Sequence, residues 1–237
     1  MELPGSLAVI TGATEGIGRA TAFALGRAGA RVAICARTAA NVDSTVRDLH
    51  AAGVDAIGMP CDVSDPSCVA SFATFVNRER GTPRILVNNA GIGRFKPLLA
   101  LSLDDWDETM NVNVRSLYLV TRAFLKGMLD AGTGTIVNIA SLAGKNGVEG
   151  GTAYSASKHA VLGFSKSLML EVRKQGIRVV AICPGSVSTA FAEKGDRVRH
   201  NRDRILTAED VAHAVFATVT ASDRAMVSEL DIRPTNP

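Results

Sequence analysis

The chain has 237 residues, of which 46% are hydrophobic and 21% charged, as is typical of a globular protein. Its net charge of +3 is spread along the chain without a dense Lys/Arg block, which argues against a nucleic-acid partner. No apolar stretch reaches membrane-span length and the first residues do not resemble a signal peptide, so we expect a cytoplasmic protein with no membrane partner.

Short apolar runs alternate with helical patterns along the whole chain. A strand over 7–10 ends at Thr11 and is followed by a helix over 19–28. Further strands are predicted over 31–36, 56–61, 84–89, 135–140, 177–183 and 226–232. Further helices are predicted over 39–52, 66–80, 103–129, 152–174 and 207–220. Thr152 and Thr207 are the expected N-caps of the last two helices.

This alternation predicts an α/β fold with a doubly wound parallel sheet and helices on both faces. The chain shows no linker, repeat or low-complexity segment, so we expect a single domain over 1–237. Ligands of such sheets bind at the carboxyl ends of the strands. Candidate residues follow six of the predicted strands: Gly12, Arg37, Asp62, Asn89, Ser141 and Pro184. The sequence therefore predicts one binding crevice at this edge of the sheet.

A glycine-rich turn joins the first strand to the first helix. It reads Gly-x-x-x-Gly-x-Gly over Gly12, Gly16 and Gly18, a spacing that a tight structural turn can also have. Glycine permits close backbone approach, and the N-terminus of the next helix offers unpaired N–H groups to a pyrophosphate. We therefore expect a dinucleotide at this turn.

The end of the second strand indicates which dinucleotide is bound. A site for NAD usually places an acid there, whereas this strand ends in Cys35-Ala36-Arg37. An arginine would bind the 2′-phosphate of NADP(H), unless Arg37 is only an exposed residue before a helix. Glu15, inside the glycine turn, adds a nearby negative charge. NADP(H) is the favoured cofactor, with NAD(H) as the alternative.

Tyr154 and Lys158 are four residues apart and share one face of a predicted helix. An ammonium beside a phenol lowers the phenol pKa, and such a tyrosine can act as general acid or base. The spacing also occurs by chance on surface helices, so the pair gains weight only from the residues around it.

Together these residues resemble the short-chain dehydrogenase/reductase family, in the branch of 3-oxoacyl-carrier-protein reductases and related carbonyl reductases. The matching marks, in chain order, are Thr11-Gly12-x-x-x-Gly16-Ile17-Gly18, Asp62-Val63, Asn88-Asn89-Ala90-Gly91, Asn113, Ser141, Tyr154-x-x-x-Lys158, and Pro184-Gly185 with Thr189. The resemblance covers nearly the whole chain. It implies a Rossmann-type sheet of seven strands and a homotetramer or homodimer.

The resemblance also implies four catalytic residues. Tyr154 would exchange the proton with the substrate oxygen, and Lys158 would lower the pKa of Tyr154 and hold the nicotinamide ribose. Ser141, unless it is only a turn cap, would hydrogen-bond the substrate oxygen, and Asn113 would anchor a water that relays protons to Lys158. The implied cofactor-binding residues are Gly12, Thr14, Glu15, Gly16, Ile17, Gly18, Arg37, Asp62, Val63, Asn89, Ala90, Gly91, Tyr154, Lys158, Pro184, Gly185, Val187 and Thr189.

The predicted function is hydride transfer between NADP(H) and a small carbonyl or alcohol substrate, including ketones, aldehydes and 3-oxoacyl thioesters. The alternatives are an NAD-linked dehydrogenase of a sugar, polyol or hydroxysteroid, and a regulator that senses NADP(H) without turnover. Expected substrate-facing residues are Leu142, Lys145, Gly147, Glu149 and Phe191. The loop after Pro184-Gly185 is short, which predicts an open site, and the end of the chain lacks the Gly-rich sequence common in the family.

Other features carry weaker predictions. The basic segment 197–204 is expected to be a solvated loop, with binding of an anionic substrate as the alternative. The four Cys form no C-x-x-C pair and the four His have no metal-ligand spacing, so we expect reduced thiols and no metal. An oligomer interface is expected on the helices over 103–129 and 152–174. Their surplus apolar residues are Leu117, Leu119, Phe124, Leu168 and Met169.

Overall fold

The computed structural model describes residues 3–189, 204–222 and 224–235. Within these residues, seven strands form one sheet in the order β3-β2-β1-β4-β5-β6-β7, and all neighbours pair in parallel. The strands are β1 (Leu7–Thr11), β2 (Arg31–Ala36), β3 (Ala56–Pro60), β4 (Ile85–Asn88), β5 (Gly134–Ile139), β6 (Ile177–Pro184) and β7 (Glu229–Ile232). The order reverses between β1 and β4, so a ligand is expected at the carboxyl ends of these two strands.

The α-helices of the described residues fill the connections between strands. They are α1 (Gly16–Arg27), α2 (Ala39–Ala51), α3 (Pro66–Arg80), α4 (Leu103–Met110), α5 (Ser116–Ala131), α6 (Thr152–Val172) and α7 (Ala208–Val219). A π-helical turn, Asn111–Arg115, joins α4 to α5. Short 3₁₀ turns cover Leu98–Ala100, Leu142–Gly144 and Arg173–Gln175. The predicted α/β fold and its seven strands are confirmed, with element ends that differ by a few residues.

Two helix predictions need correction. The helix predicted over 103–129 contains the π-turn, in which Ser116 N–H donates to the carbonyl of Asn111. The hydrophobic pattern continues across such a turn, so it leaves no signal in the sequence. The predicted N-cap at Thr152 is wrong, because Gly151 caps α6 and its carbonyl accepts the first helical bond, from Ser155 N–H at 2.7 Å.

Both faces of the sheet are covered by helices. All five residues of β1 are buried, as expected of a strand packed on two sides. One buried cluster joins β1 and β2 to α1, α2 and α7. The other includes Phe72 of α3 and Phe124 of α5, whose rings meet edge to face at 6.1 Å. The strand ends between these layers are therefore fixed on both sides.

The apolar residues predicted to be surplus for oligomerisation are mostly part of this core. Leu117, Phe124 and Leu168 are only 3%, 2% and 6% exposed, because α5 and α6 pack directly on the sheet. The apolar side chains that do face outward on these helices are Tyr118 and Leu170, at 47% and 59% exposure. Leu117, Phe124 and Leu168 therefore give no support to an interface, whereas Leu119 and Met169 are half-buried against the same core.

The described residues include no helix that is both long and apolar enough to cross a membrane. All four cysteines carry free thiols: Cys35, Cys61 and Cys183 are buried and Cys68 is half-buried. Over the same described ranges, no group of three or more His, Cys, Asp or Glu side chains is arranged to hold a metal ion.

Candidate active site

A cleft of about 700 Å³ lies at the carboxyl edge of the sheet, a volume ordinary for a cofactor site. Of the predicted site residues, those that line it are Gly12, Thr14, Glu15, Gly16, Ile17, Arg37, Asp62, Val63, Asn89, Ala90, Gly91, Ser141, Tyr154, Lys158, Pro184, Gly185, Val187 and Thr189. Gly18 and Asn113 are the two predicted catalytic or cofactor-binding residues that do not line it. Residues that are distant in the sequence thus meet at the carboxyl ends of the strands.

The glycine turn presents backbone to the cleft. Gly12 and Gly16 have φ of 62° and 53°, a conformation that side-chain-bearing residues rarely adopt. At Gly18 an added Cβ would come within 2.4 Å of Asn89 Nδ2 and 2.5 Å of the Gly12 carbonyl oxygen. Gly18 therefore permits close packing of the turn and does not itself face a ligand. Helix α1 begins at Gly16 without a side-chain cap, so its first N–H groups can bind an anion.

Asn89 holds the glycine turn in place from the end of β4. Its Nδ2 donates to the carbonyls of Thr11 and Gly12, both at 3.0 Å, and its own N–H donates to Thr11 Oγ1 at 3.1 Å. Gly12 N–H in turn donates to the carbonyl of Cys35 at 2.8 Å. Asn89 therefore braces the turn as well as lining the cleft.

At one end of the cleft, Arg37 is exposed directly after β2, and Asp62 follows β3. Asp62 Oδ1 accepts from both the N–H and the hydroxyl of Ser64, at 2.9 and 2.7 Å, which fixes the carboxylate. Thr38 and Asn41 also line this end and were not predicted. Their position at the start of α2, next to Arg37, is the signal that could have identified them.

Lys158 is buried beside Tyr154. It is 5% exposed, and its Nζ lies 5.8 Å from the centroid of the Tyr154 ring. Nζ donates to the carbonyl of Ile139 at 2.9 Å. Burial lowers the pKa of Lys158 from 10.5 to about 8, and a smaller opposing effect comes from Cys183. The predicted shared face is therefore present, and the buried Lys158 ammonium is held by a backbone carbonyl beside the Tyr154 ring.

Ser141 and Tyr154 both face the cleft. Ser141 caps the turn Leu142–Gly144, and its Oγ accepts from Ala143 N–H at 3.1 Å. A hydroxyl that accepts in this way still has its own proton to donate. The capping role of Ser141 and a substrate-binding role are therefore compatible.

Asn113 lies inside the π-turn and is 3% exposed. Its Nδ2 donates to the carbonyl of Ile92 at 2.8 Å and to Ser157 Oγ at 2.9 Å, while its Oδ1 accepts from Ile92 N–H at 2.8 Å. The side chain thus ties the segment after β4 to α6. Three of its four hydrogen-bonding positions are taken, so its amide chiefly acts as a brace.

The part of the cleft lining beside Tyr154 was not predicted. The Phe95 ring lies 5.2 Å from the Tyr154 ring and lines the cleft together with Val148. Lys96 N–H donates to the carbonyl of Gly150 at 2.7 Å, and Lys96 Nζ pairs with Asp105 at 2.6 Å. This segment is therefore fixed beside Tyr154. Its position depends on contacts across the fold, so local sequence carries no signal for it.

The expected substrate-facing residues need partial correction. Leu142 lines the cleft, whereas Lys145, Gly147 and Glu149 are not among its lining residues. Lys145 is held by the carboxylates of β7, with Nζ 2.5 Å from Glu229 and in contact with Asp231. Phe191, and the basic segment 197–204 apart from Arg204, lie outside the described residues.

The end of the chain also contributes residues that the sequence did not suggest. Arg233 and Pro234, directly after β7, line the cleft, as does Ile205. Gly185 N–H donates to the carbonyl of Ile232 at 2.8 Å, which places this end beside the loop that follows β6.

The chain is similar to known proteins of one family. The family model described as short chain dehydrogenase matches residues 6–199. The 3-oxoacyl-acyl-carrier-protein reductase of Pseudomonas aeruginosa is 40% identical over 189 residues, which cover 80% of this chain and 76% of the relative. The D-threitol dehydrogenase of Mycolicibacterium smegmatis is 40% identical over 192 residues, which cover 81% of this chain and 74% of that relative. A crystal structure of a metagenomic short-chain oxidoreductase in complex with NADP is 39% identical, with a TM-score of 0.87 over 99% of this chain and 100% of that one.

Proposed function

The chain belongs to the short-chain dehydrogenase family, and from this premise we propose that it is an NADP(H)-dependent carbonyl reductase, reversible as an alcohol dehydrogenase. The single observation that carries the proposal is the convergence of Ser141, Tyr154 and Lys158 on one cleft with the glycine turn. The relatives named as an acyl-carrier-protein reductase and as a protein in complex with NADP support the same reaction class.

The cleft fits a dinucleotide. The positive φ of Gly12 and Gly16 and the uncapped start of α1 leave N–H groups for the pyrophosphate. Arg37 would bind the 2′-phosphate, and Asp62 with Val63 would contact the adenine. Pro184, Gly185, Val187 and Thr189 would hold the nicotinamide end. When bound, NADPH supplies the hydride for carbonyl reduction.

Within this scheme the residues of the chain manage the proton and the charge. Ser141 donates a hydrogen bond to the carbonyl oxygen and orients it. Tyr154 donates its phenolic proton to the same oxygen as negative charge develops there. The buried Lys158 ammonium stabilises the charge that remains on the tyrosine oxygen. Asn113 keeps α6 and the segment after β4 together, so that Tyr154 faces the substrate.

A second candidate is an NAD-linked dehydrogenase of a sugar, polyol or hydroxysteroid. It is favoured by the similarity to a D-threitol dehydrogenase, and it would use the same residues with Tyr154 accepting the proton. A cofactor-sensing regulator without turnover is the less favoured candidate, because such a protein would not need the whole set of Ser141, Tyr154 and Lys158.

One substrate panel separates these candidates. NADPH and NADH oxidation would be followed with ketones, aldehydes and 3-oxoacyl thioesters, and NADP⁺ and NAD⁺ reduction with polyols, sugars and hydroxysteroids. The main proposal expects NADPH oxidation with at least one carbonyl class. Turnover with polyols and NAD⁺ alone would favour the second candidate, and cofactor binding without turnover on any substrate would favour the regulator.

Assembly and location are part of the same proposal. We expect one cytoplasmic catalytic domain over 1–237, with free thiols suited to a reducing compartment. We also expect a homodimer or homotetramer through the outward faces of α5 and α6. Tyr118 and Leu170 are the exposed apolar side chains there that a partner copy would cover.

A further inference from the structure

Arg233 brings a positive charge to the opposite end of the cleft from Arg37. It directly follows β7, the edge strand beside β6, whereas Arg37 follows β2 on the other side of the sheet. Neighbouring strands lie about 4.8 Å apart, so Arg233 is one strand beyond the Pro184-Gly185 loop that would hold the nicotinamide. A cofactor that extends from Arg37 to this loop therefore leaves Arg233 beside the space for the substrate.

Close packing connects Arg233 to the candidate catalytic serine. A Cβ built at Gly185 would lie 3.3 Å from Leu142 Cδ1 and 3.3 Å from Pro234 Cδ. Leu142 directly follows Ser141, and Pro234 directly follows Arg233. All five residues line the cleft. Ser141 and Arg233 therefore belong to the same part of the cleft, with one glycine between their neighbours.

The charged side chains around β7 leave one positive charge in excess. Lys145 Nζ lies 2.5 Å from Glu229 and also contacts Asp231. Its hydrogen bonds lower the pKa of both carboxylates, so both are charged at pH 7. Lys166 is a second cation, 3.3 Å from Glu229, and Arg233 beside Asp231 is the third. Two carboxylates thus meet three cations, which favours an anion at this end of the cleft.

The guanidinium of Arg233 has donors to offer to a ligand. Its side chain is 57% exposed. The one hydrogen bond that it makes to a described residue runs from Nη2 to Asp231 at 3.5 Å, near the limit for such a bond. A guanidinium has five N–H groups in a planar fork, which matches two oxygens of a carboxylate or phosphate. Glu15 and Asp62, the described carboxylates that line the cleft, follow β1 and β3, away from β7.

We propose that Arg233 is a specificity-determining residue, which binds a carboxylate or phosphate group carried by the carbonyl substrate. This inference rests on the proposed function, because it takes the carbonyl held at Ser141 and Tyr154 as the other end of the substrate. Leu142 and Pro234 would contact the carbon chain between the two ends. The substrate class is therefore an oxo acid or an oxo phosphate rather than a neutral ketone.

Matched substrate pairs that differ in the anion test this inference. The value of kcat/KM with NADPH would be compared for acetoacetate and levulinate, each against its methyl ester, and for dihydroxyacetone phosphate against dihydroxyacetone. The wild type should favour the anionic member of at least one pair by about tenfold, as expected of a charge-assisted contact that is partly screened by solvent. The pair that shows the preference identifies the anion as carboxylate or phosphate.

Variants on the two sides of β7 assign the preference to one residue. Arg233→Gln should abolish it while the rate with the neutral member changes little, and Arg233→Lys should retain part of it, since the charge stays but the fork is lost. Arg224→Gln is the matched control, because Arg224 is exposed before β7, at the opposite edge of the sheet, and the same charge is removed. It should leave the preference unchanged. A wild type that favours no anionic member, or a preference that survives in Arg233→Gln, would overturn the proposal.

A binding measurement separates this proposal from the proposed function. Hexanoate and hexyl phosphate contain no ketone or aldehyde, so they can be titrated calorimetrically into the protein in the presence of NADP⁺ without turnover. One of them should bind about tenfold more weakly to Arg233→Gln than to the wild type and to Arg224→Gln. If the wild type reduces no carbonyl, the proposed function fails, and this titration still decides the role of Arg233. No binding of either anion, or equal affinity in the wild type and Arg233→Gln, would overturn that role.

Discussion

Replacing Lys158 with methionine should stabilise the protein while it removes catalysis. Lys158 is buried, and burial lowers its pKa from 10.5 to about 8. This difference corresponds to about 3 kcal/mol of destabilisation wherever the lysine is charged in both the folded and the unfolded chain. Methionine removes this cost but also leaves the carbonyl of Ile139 without its donor, which costs about 1 kcal/mol. The net expectation at pH 7 is a gain of about 2 kcal/mol.

The gain should depend on pH in a defined window. Below pH 8 the ammonium is charged in both states and the full cost applies to the wild type. Between pH 8 and 10.5 the folded chain loses its proton while the unfolded chain keeps it, so the wild type gains stability relative to Lys158→Met. Above that window the variant should be the less stable protein, since only the lost hydrogen bond remains.

Urea unfolding of the cofactor-free proteins at pH 7 and at the alkaline end of this window measures both effects. In a separate thermal unfolding experiment at pH 7, the same gain of about 2 kcal/mol should raise the midpoint by about 4–8 °C for a chain of this length. Lys126→Met is the control, because Lys126 is 84% exposed in a surface pair with Asp130 and should change stability little. A Lys158→Met protein that is no more stable than the wild type at pH 7 would refute the reasoning.

Three further outcomes follow from the structure. The wild type should prefer NADPH over NADH by about 10- to 100-fold in kcat/KM, and the double variant Ala36→Asp, Arg37→Ala should reverse that preference. A wild type that prefers NADH would contradict the assignment of Arg37. Light scattering at micromolar concentration should give at least twice the 24.8 kDa of one chain, and Tyr118→Glu with Leu170→Glu should lower that mass; a monomeric wild type would count against the interface. Thr207→Ala should cost about 1 kcal/mol in urea unfolding, because it removes the capping box that begins α7; an unchanged midpoint would mean that the cap contributes little.

The parts of the molecule that local patterns specify could be predicted from the sequence. Alternating buried runs and caps such as Thr207 give the order of strands and helices. The glycine turn could be placed because glycine is required where φ is positive, as at Gly12 and Gly16. The spacing of Tyr154 and Lys158 is a property of one helix, so their shared face was also predictable.

The features that were missed or wrongly predicted depend on contacts between distant segments. Phe95 stands beside Tyr154 because Lys96 is tied to Gly150 and to Asp105, which no local pattern records. Lys145 looked free to meet a substrate, but the strand at the end of the chain brings two carboxylates to it.

The same limitation affected buried positions. Leu117 and Phe124 looked surplus to one helix face, but helix α5 packs so closely on the sheet that both are buried.

The central claim is that Tyr154 donates the proton in carbonyl reduction. It is tested most directly by measuring NADPH affinity and turnover on the same preparations of wild type and Tyr154→Phe, with a ketone that the wild type accepts. Only a hydroxyl is removed, so NADPH affinity should stay within error of the wild type. Turnover should fall by about 10²- to 10⁴-fold, the usual contribution of general acid–base catalysis. Near-wild-type turnover in Tyr154→Phe would contradict the account.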